Sequence, residues 1–126
     1  MPKSIVQTDL APQAVGPYSQ AVSSDGYVFC SGQVGLDPGT GSLVEGTIQD
    51  ETRRALTNLG AVLEAAGAGF AEVVKVTAYL TDMADFASFN EAYAEFFSDA
   101  RPARATVGVA ALPLGARVEV ECIARV

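Results

Sequence analysis

Between Thr47 and Ala66 apolar residues return at three- and four-residue steps. Ile48, Ala55, Leu56, Leu59, Val62, Leu63 and Ala66 share one face of a predicted helix, and Gly67 supplies its stop. A second stripe, Phe86, Phe89, Tyr93, Phe96 and Phe97, predicts a helix from about Phe86 to Phe97, capped by Asp82 or Asp85. Between them, Val73 to Leu80 is rich in β-branched residues and reads as the clearest strand of the chain. Further strands are expected over Tyr18–Val22, Tyr27–Gln33, Ala105–Val109 and Val118–Ala124. Ser23-Ser24-Asp25-Gly26 joins the first two as a hairpin turn, with glycine where a positive φ is easiest. Asp37-Pro-Gly-Thr-Gly41 is a breaker-rich loop, and Leu112-Pro-Leu-Gly115 turns the chain between the last two strands. The order is β-β-α-β-α-β-β. It predicts an α+β protein, a single domain over residues 1–126, with one mixed sheet and two helices packed on one face.

Alternation along the strands assigns the faces. Val118, Val120, Cys122 and Ala124 point one way, and Glu119, Glu121, Ile123 and Arg125 the other. In the central strand Val74, Val76, Ala78 and Leu80 are expected on the apolar face, with Val73, Lys75, Thr77 and Tyr79 on the reverse. Two helices cover one side of a sheet, and the uniformly apolar side is the one they would take. The other side mixes Tyr27, Phe29, Val73, Tyr79 and Ile123 with charged residues, a surface usually buried by a partner. A homo-oligomer using the helix-free side is therefore expected, with Glu119 near its interface.

Composition narrows the chemistry. The chain has 126 residues, 49% apolar and 18% charged, which describes an ordinary folded protein. No apolar run approaches a membrane span, and the first residues lack the apolar segment of a secretory signal, so the expected compartment is the cytoplasm. Cys30 and Cys122 sit in apolar runs and read as buried, reduced thiols. Histidine is absent, which removes the commonest general base and metal ligand, and the acids do not cluster with the cysteines; no metal is expected. Fifteen acidic against eight basic residues give a net charge of −7, with the basic ones dispersed, so nucleic-acid binding is disfavoured.

Against that background the segment Arg101 to Glu121 stands out. Arg104 follows a Pro-Ala turn at the start of one strand, and Glu119 lies in the next strand, fifteen positions on. A guanidinium grips a carboxylate through two parallel hydrogen bonds, which an ammonium does not do. A carboxylate beside the same spot handles a water or a proton. The pair outlines a site for a small acid that reacts next to its carboxyl group. Arg101 and Arg117 read as surface arginines at turns, and Glu121 as a solvated residue on an edge strand. Tyr18 and Ser31, taken alone, are packing and turn residues. Gln33 and Asn90 are assigned structural hydrogen bonds to backbone. The aromatic stripe of the second helix reads as core.

Gly16-Pro-Tyr-Ser-Gln-Ala21, Ser31-Gly-Gln33, Phe89-Asn-Glu-Ala-Tyr93 and Pro102-Ala-Arg104 through Glu119-Val-Glu121 together resemble the RidA (YjgF/YER057c) family, from about Ile5 to Ala124. The resemblance implies a chorismate-mutase-like fold assembled as a homotrimer with ligand clefts between subunits. It implies hydrolysis of reactive enamines and imines, such as 2-aminoacrylate and 2-iminopropionate, to 2-keto acids and ammonia, without metal or organic cofactor. It makes Arg104 the anchor for the substrate carboxylate and Glu119 the residue that positions water. It places Tyr18 and Ser31 along the cleft, with backbone amides near Thr106 or Ser31 steadying developing charge. Many members carry cysteine two residues after the arginine, where this chain has Thr106, which bears on substrate preference. Two other functions are weighed: a non-catalytic trimer that binds small carboxylates, and an endoribonuclease or translation inhibitor. Retention of Glu119 beside Arg104 favours the enzyme over the first. The acidic charge and missing histidine argue against the second.

Overall fold

In the computed structural model, which describes residues 2–126, the chain forms a six-stranded mixed sheet in the order β1-β2-β3-β6-β4-β5. The strands are β1 (Ser4–Val6), β2 (Ala21–Ser24), β3 (Tyr27–Val34), β4 (Val73–Leu80), β5 (Ala103–Gly108) and β6 (Val118–Arg125). Helices α1 (Ile48–Ala65) and α2 (Phe86–Phe97) lie where the periodicity places them. All pairings are antiparallel except β4 with β5, which the α2 crossover makes parallel. The fold class therefore agrees with the sequence reading, with one added strand.

Local chemistry explains the element ends. Asp25 and Gly26 both adopt positive φ (52° and 82°), the signature of a two-residue hairpin turn, and Ser24 pairs with Tyr27 across it. Thr47 caps α1 in a capping box: its hydroxyl accepts from the Asp50 amide, and the Asp50 carboxylate accepts from the Thr47 amide. Those bonds hold the Asp50 carboxyl below its ordinary value. Asp82 accepts from the Ala84 amide at 2.9 Å and caps a 3-10 turn that leads into α2, whereas Asp85 makes no side-chain cap.

One apolar cluster fills the space between sheet and helices. Leu56, Leu59, Leu63 and Phe89 from the helices meet Val28, Val76, Leu80, Val118 and Val120 from the strands, all at most 1% exposed. Each such side chain contributes roughly 1.5–3 kcal/mol by leaving water. The aromatic stripe packs there too, with Phe89, Tyr93 and Phe97 in edge and tilted contacts at 4.7–5.5 Å.

Three expectations need correction. Tyr18, Ser19 and Gln20 precede β2 rather than belong to it. Gln20 is buried and its carboxamide clamps the N-terminal loop, accepting from the Thr8 amide at 2.7 Å and donating to the carbonyls of Thr8 and Pro12. A bulge at Val74 reverses the start of β4: Val73 pairs with Ala124 and is buried, Lys75 pairs with Ile123, and Val74 faces out. Arg117 is no idle surface arginine; it donates to the buried Glu51 carboxylate of α1 and to the Gly46 carbonyl.

Candidate functional site: two half-sites on opposite faces

The helix-free face of the sheet carries a cleft of about 670 Å³ at the end of β3 and β6. Tyr18, Ser31, Gly32, Glu119 and Glu121 line it, with Leu36 and Leu114 among its apolar walls. A second bulge opens it. Between Cys30, opposite Cys122, and Gln33, opposite Val120, β3 holds one more residue than β6. The extra length puts Ser31 and Gly32 out of the regular ladder. Ser31 donates its hydroxyl to the Ser19 carbonyl at 2.6 Å and its amide to the Gln20 carbonyl at 2.9 Å, so that amide is not free for a ligand. A Cβ on Gly32 would overlap the Glu119 carboxylate. Only glycine leaves room for that carboxylate to lie back against β3.

Glu119 sits between the buried Val118 and Val120 and points away from the core. Burial, and secondarily the charge of Glu121, raise its carboxyl above the ordinary value. A carboxylate displaced toward neutrality is suited to take and return a proton. Glu121 accepts a hydrogen bond from the Tyr79 hydroxyl. Since β6 runs between β3 and β4, the expectation that Glu121 occupies an edge strand is wrong.

Arg104 lies elsewhere. In the parallel β4–β5 pair it is in register with Val76, a fully buried residue beneath the helices, so its side chain projects on the helix side. The guanidinium rests over the rings of Tyr93, Phe86 and Phe89, with 4.6 Å to the nearest centroid. Among the described residues no carboxylate pairs with it, and it faces a groove of about 530 Å³ with Asn90, Ser98 and Arg101. Burial of Tyr93 raises its phenol despite the nearby cation. Asn90, expected to bond backbone, instead leaves Oδ1 buried and without a partner among the described residues. Thr106 lies two residues past Arg104 on the same side of β5, and its hydroxyl oxygen is likewise unpartnered.

The structure thus gathers Tyr18, Ser31 and Glu119 in one cleft and holds Arg104 and Thr106 on the other side of the sheet. The two groups do not meet within the chain. Sequence reasoning also missed Gly32 as the space-maker for Glu119, although its place in the Ser-Gly-Gln motif marks it.

An α+β sheet with both helices on one face thus carries a shielded carboxylate and, among the described residues, an arginine that no carboxylate pairs. Residues 8–126 match the family model described as Endoribonuclease L-PSP. A mouse protein named 2-iminobutanoate/2-iminopropanoate deaminase is 52% identical over 122 residues, covering 97% of this chain and 90% of the mouse protein. The crystal structure of a putative endoribonuclease from Thermotoga maritima superposes with a TM-score of 0.96 at 50% identity, covering 98% of this chain and 97% of that one. E. coli TdcF with bound serine superposes at 0.92 with 40% identity, over 98% of both chains. The chain belongs to the RidA family, the one its motifs resemble.

Proposed function

We propose that this protein is a hydrolytic deaminase converting reactive 2-enamino and 2-imino acids, such as 2-aminoacrylate and 2-iminopropionate, to 2-keto acids and ammonia. The observation that carries the reading is the unpaired, ring-stacked Arg104 guanidinium, matched by a shielded Glu119 carboxylate in a separate cleft. The name of the mouse relative and the serine held by the E. coli protein fit a substrate of the amino-acid type.

The separation of the two groups supports assembly as a homotrimer in which Arg104 of one subunit closes the Glu119 cleft of the next. The half-exposed aromatics Tyr27 and Phe29 on the open face supply surface for it. In the closed site Arg104 holds the substrate carboxylate through paired charge-assisted hydrogen bonds, and Tyr18 and Ser31 line the wall. A protonated imine carbon is already electrophilic. Glu119 orients water and takes its proton as the C–O bond forms. It returns that proton to nitrogen; as the C–N bond breaks and the carbonyl forms, it takes the hydroxyl proton and passes it to the departing ammonia. Iminium and water thus become keto acid and ammonium. No step calls for a thiolate, which suits the Cys122 thiol, pushed up by the neighbouring Cys30 thiol and by burial. Two free thiols also suit the cytoplasm, where we place the protein.

A ribonuclease has less support, since a chain of net charge −7 lacks the basic surface that RNA demands. The test generates 2-aminoacrylate in situ and follows ammonia release. Arg104→Ala is expected to lower kcat/KM on the order of 100-fold, the loss of two charge-assisted bonds. Glu119→Gln is expected to lower kcat with KM little changed. Unchanged release in both variants overturns the reading.

A further inference from the structure

Two carboxylates, Glu119 and Glu121, face the same cleft from one strand, two residues and therefore about 7 Å apart. Like charges at that spacing normally splay into solvent. Here one is tied down. Tyr79 is the cross-strand neighbour of Glu119, yet its hydroxyl reaches diagonally and donates to Glu121. The phenol is pushed up to about 12, first by that hydrogen bond, then by burial and by the two glutamates, so it remains a donor throughout the neutral range. Glu119, by contrast, has no hydrogen-bond or ion-pair partner among the described residues.

The other groups around this pair are few. On β4, Lys75 is in register with Ile123, two residues beyond Glu121 and four beyond Glu119; its ammonium reaches the Thr77 hydroxyl, at 3.4 Å, beside Glu121. On β3, Val34 stands opposite Glu119 and Gly32 lies against its carboxylate; Cys30 turns into the core, and the strand's titratable group on the open face, Tyr27, is at its far end, stacked under Arg125. From the N-terminal loop Pro12, Gln13, Ala14, Val15, Tyr18 and Gln20 line the cleft, and of these Tyr18 alone is titratable. Lys75 and Arg125 thus both lie on the Glu121 side, and within the chain the carboxylate without a partner among the described residues is Glu119.

We propose that Tyr79 and Glu121 are positioning residues: the phenol holds the Glu121 carboxylate in place, and that carboxylate keeps the Glu119 side chain turned toward Gly32 and strengthens it as a base. The two glutamates divide the labour by environment, one tied to the phenol, the other left to exchange a proton with water and substrate. The inference rests on the deaminase reading for its catalytic consequence. The electrostatic coupling itself does not.

The test combines pH profiles of kcat/KM with direct titration by carbon NMR of glutamate labelled at the carboxyl, the Glu119 signal being assigned by its loss in Glu119→Gln. Glu121→Gln is expected to move the acid limb, and the Glu119 titration, down by about half to one pH unit. Tyr79→Phe frees the Glu121 carboxylate to swing away and is expected to move both in the same direction by less. Because Tyr79→Phe removes one oxygen and leaves the ring, it carries the test if Glu121→Gln fails to assemble. A Glu119 titration unmoved in every folded variant overturns the proposal, even where melting temperature or kcat falls, since those report a merely structural role. A shifted titration in a protein that releases no ammonia supports the coupling and rejects the deaminase.

Discussion

Gly32 and Glu119 act as one unit, because the carboxylate occupies the space a Cβ would take. The obstruction is the end of a flexible side chain and not backbone, so Gly32→Ala is expected to fold and to push the carboxylate out. A displacement of about 1 Å costs on the order of 100-fold in rate. Steady-state kinetics with an unchanged circular dichroism spectrum check this; wild-type kcat in the alanine variant would refute it. Glu119 also bears on stability. Its folded carboxyl titrates above 4.5, so the native state holds a proton the unfolded chain has released, and stability is lost as pH rises through that window. Glu119→Gln removes the loss. Its melting temperature is expected to exceed the wild type by on the order of 1–3 °C at pH 7 and to match it below about pH 4. Thermal scans at the two pH values decide it, and an advantage persisting at low pH contradicts the assignment.

At the scale of elements, the Glu51–Arg117 contact joins the first turn of α1 to the start of β6. Glu51 is 4% exposed and accepts the Arg117 amide at 3.0 Å as well as the guanidinium. Arg117→Ala leaves a buried carboxylate with one donor in place of two. The arginine is partly exposed, which moderates the effect to about 2 kcal/mol, measurable as a lower urea midpoint with unchanged slope. The helices, the Asp25-Gly26 hairpin and β4 through β6 were legible in sequence because periodicity and turn chemistry agree there. β1 was not, since three residues carry no period. The bulges at Val74 and at Ser31-Gly32 were invisible for a related reason: alternation assumes an unbroken count of two, and one inserted residue silently reverses it. Gln20 and Asn58 escaped too. Both are buried carboxamides whose partners are backbone carbonyls distant in the chain, the latter donating to Val34 and Leu36. Arg104 and Glu119 were legible as residues, but their opposite faces depend on how β5 and β6 flank β4.

For the whole molecule that division predicts complementation. If Arg104 and Glu119 act from neighbouring subunits, Arg104→Ala and Glu119→Gln are each impaired alone yet rescue one another when mixed. Random assembly of equal amounts gives about a quarter of the sites both native groups. Activity recovered after co-refolding checks it. No recovery from a mixture shown to have exchanged subunits means that both groups act from one chain. None of the described helices is long and apolar enough to cross a membrane. The mixed face of the sheet, with Phe29 46% and Tyr27 41% exposed, is the surface through which assembly is proposed.

The bulge in β3 bears on how this chain tolerates change. Deleting Gly32 would bring Ser31 and Gln33 into step with β6 and mend the ladder, while leaving the hairpin and the core pairs Val28–Ala124 and Cys30–Cys122 in place. Such a protein would be a more regular sheet with no recess for its carboxylate. Loop Asp37–Gly41, one bond-closed turn on the surface, gains or loses residues without touching any strand. Two length changes of the same size, close together in the chain, therefore have opposite fates: one is silent, the other trades reactivity for order.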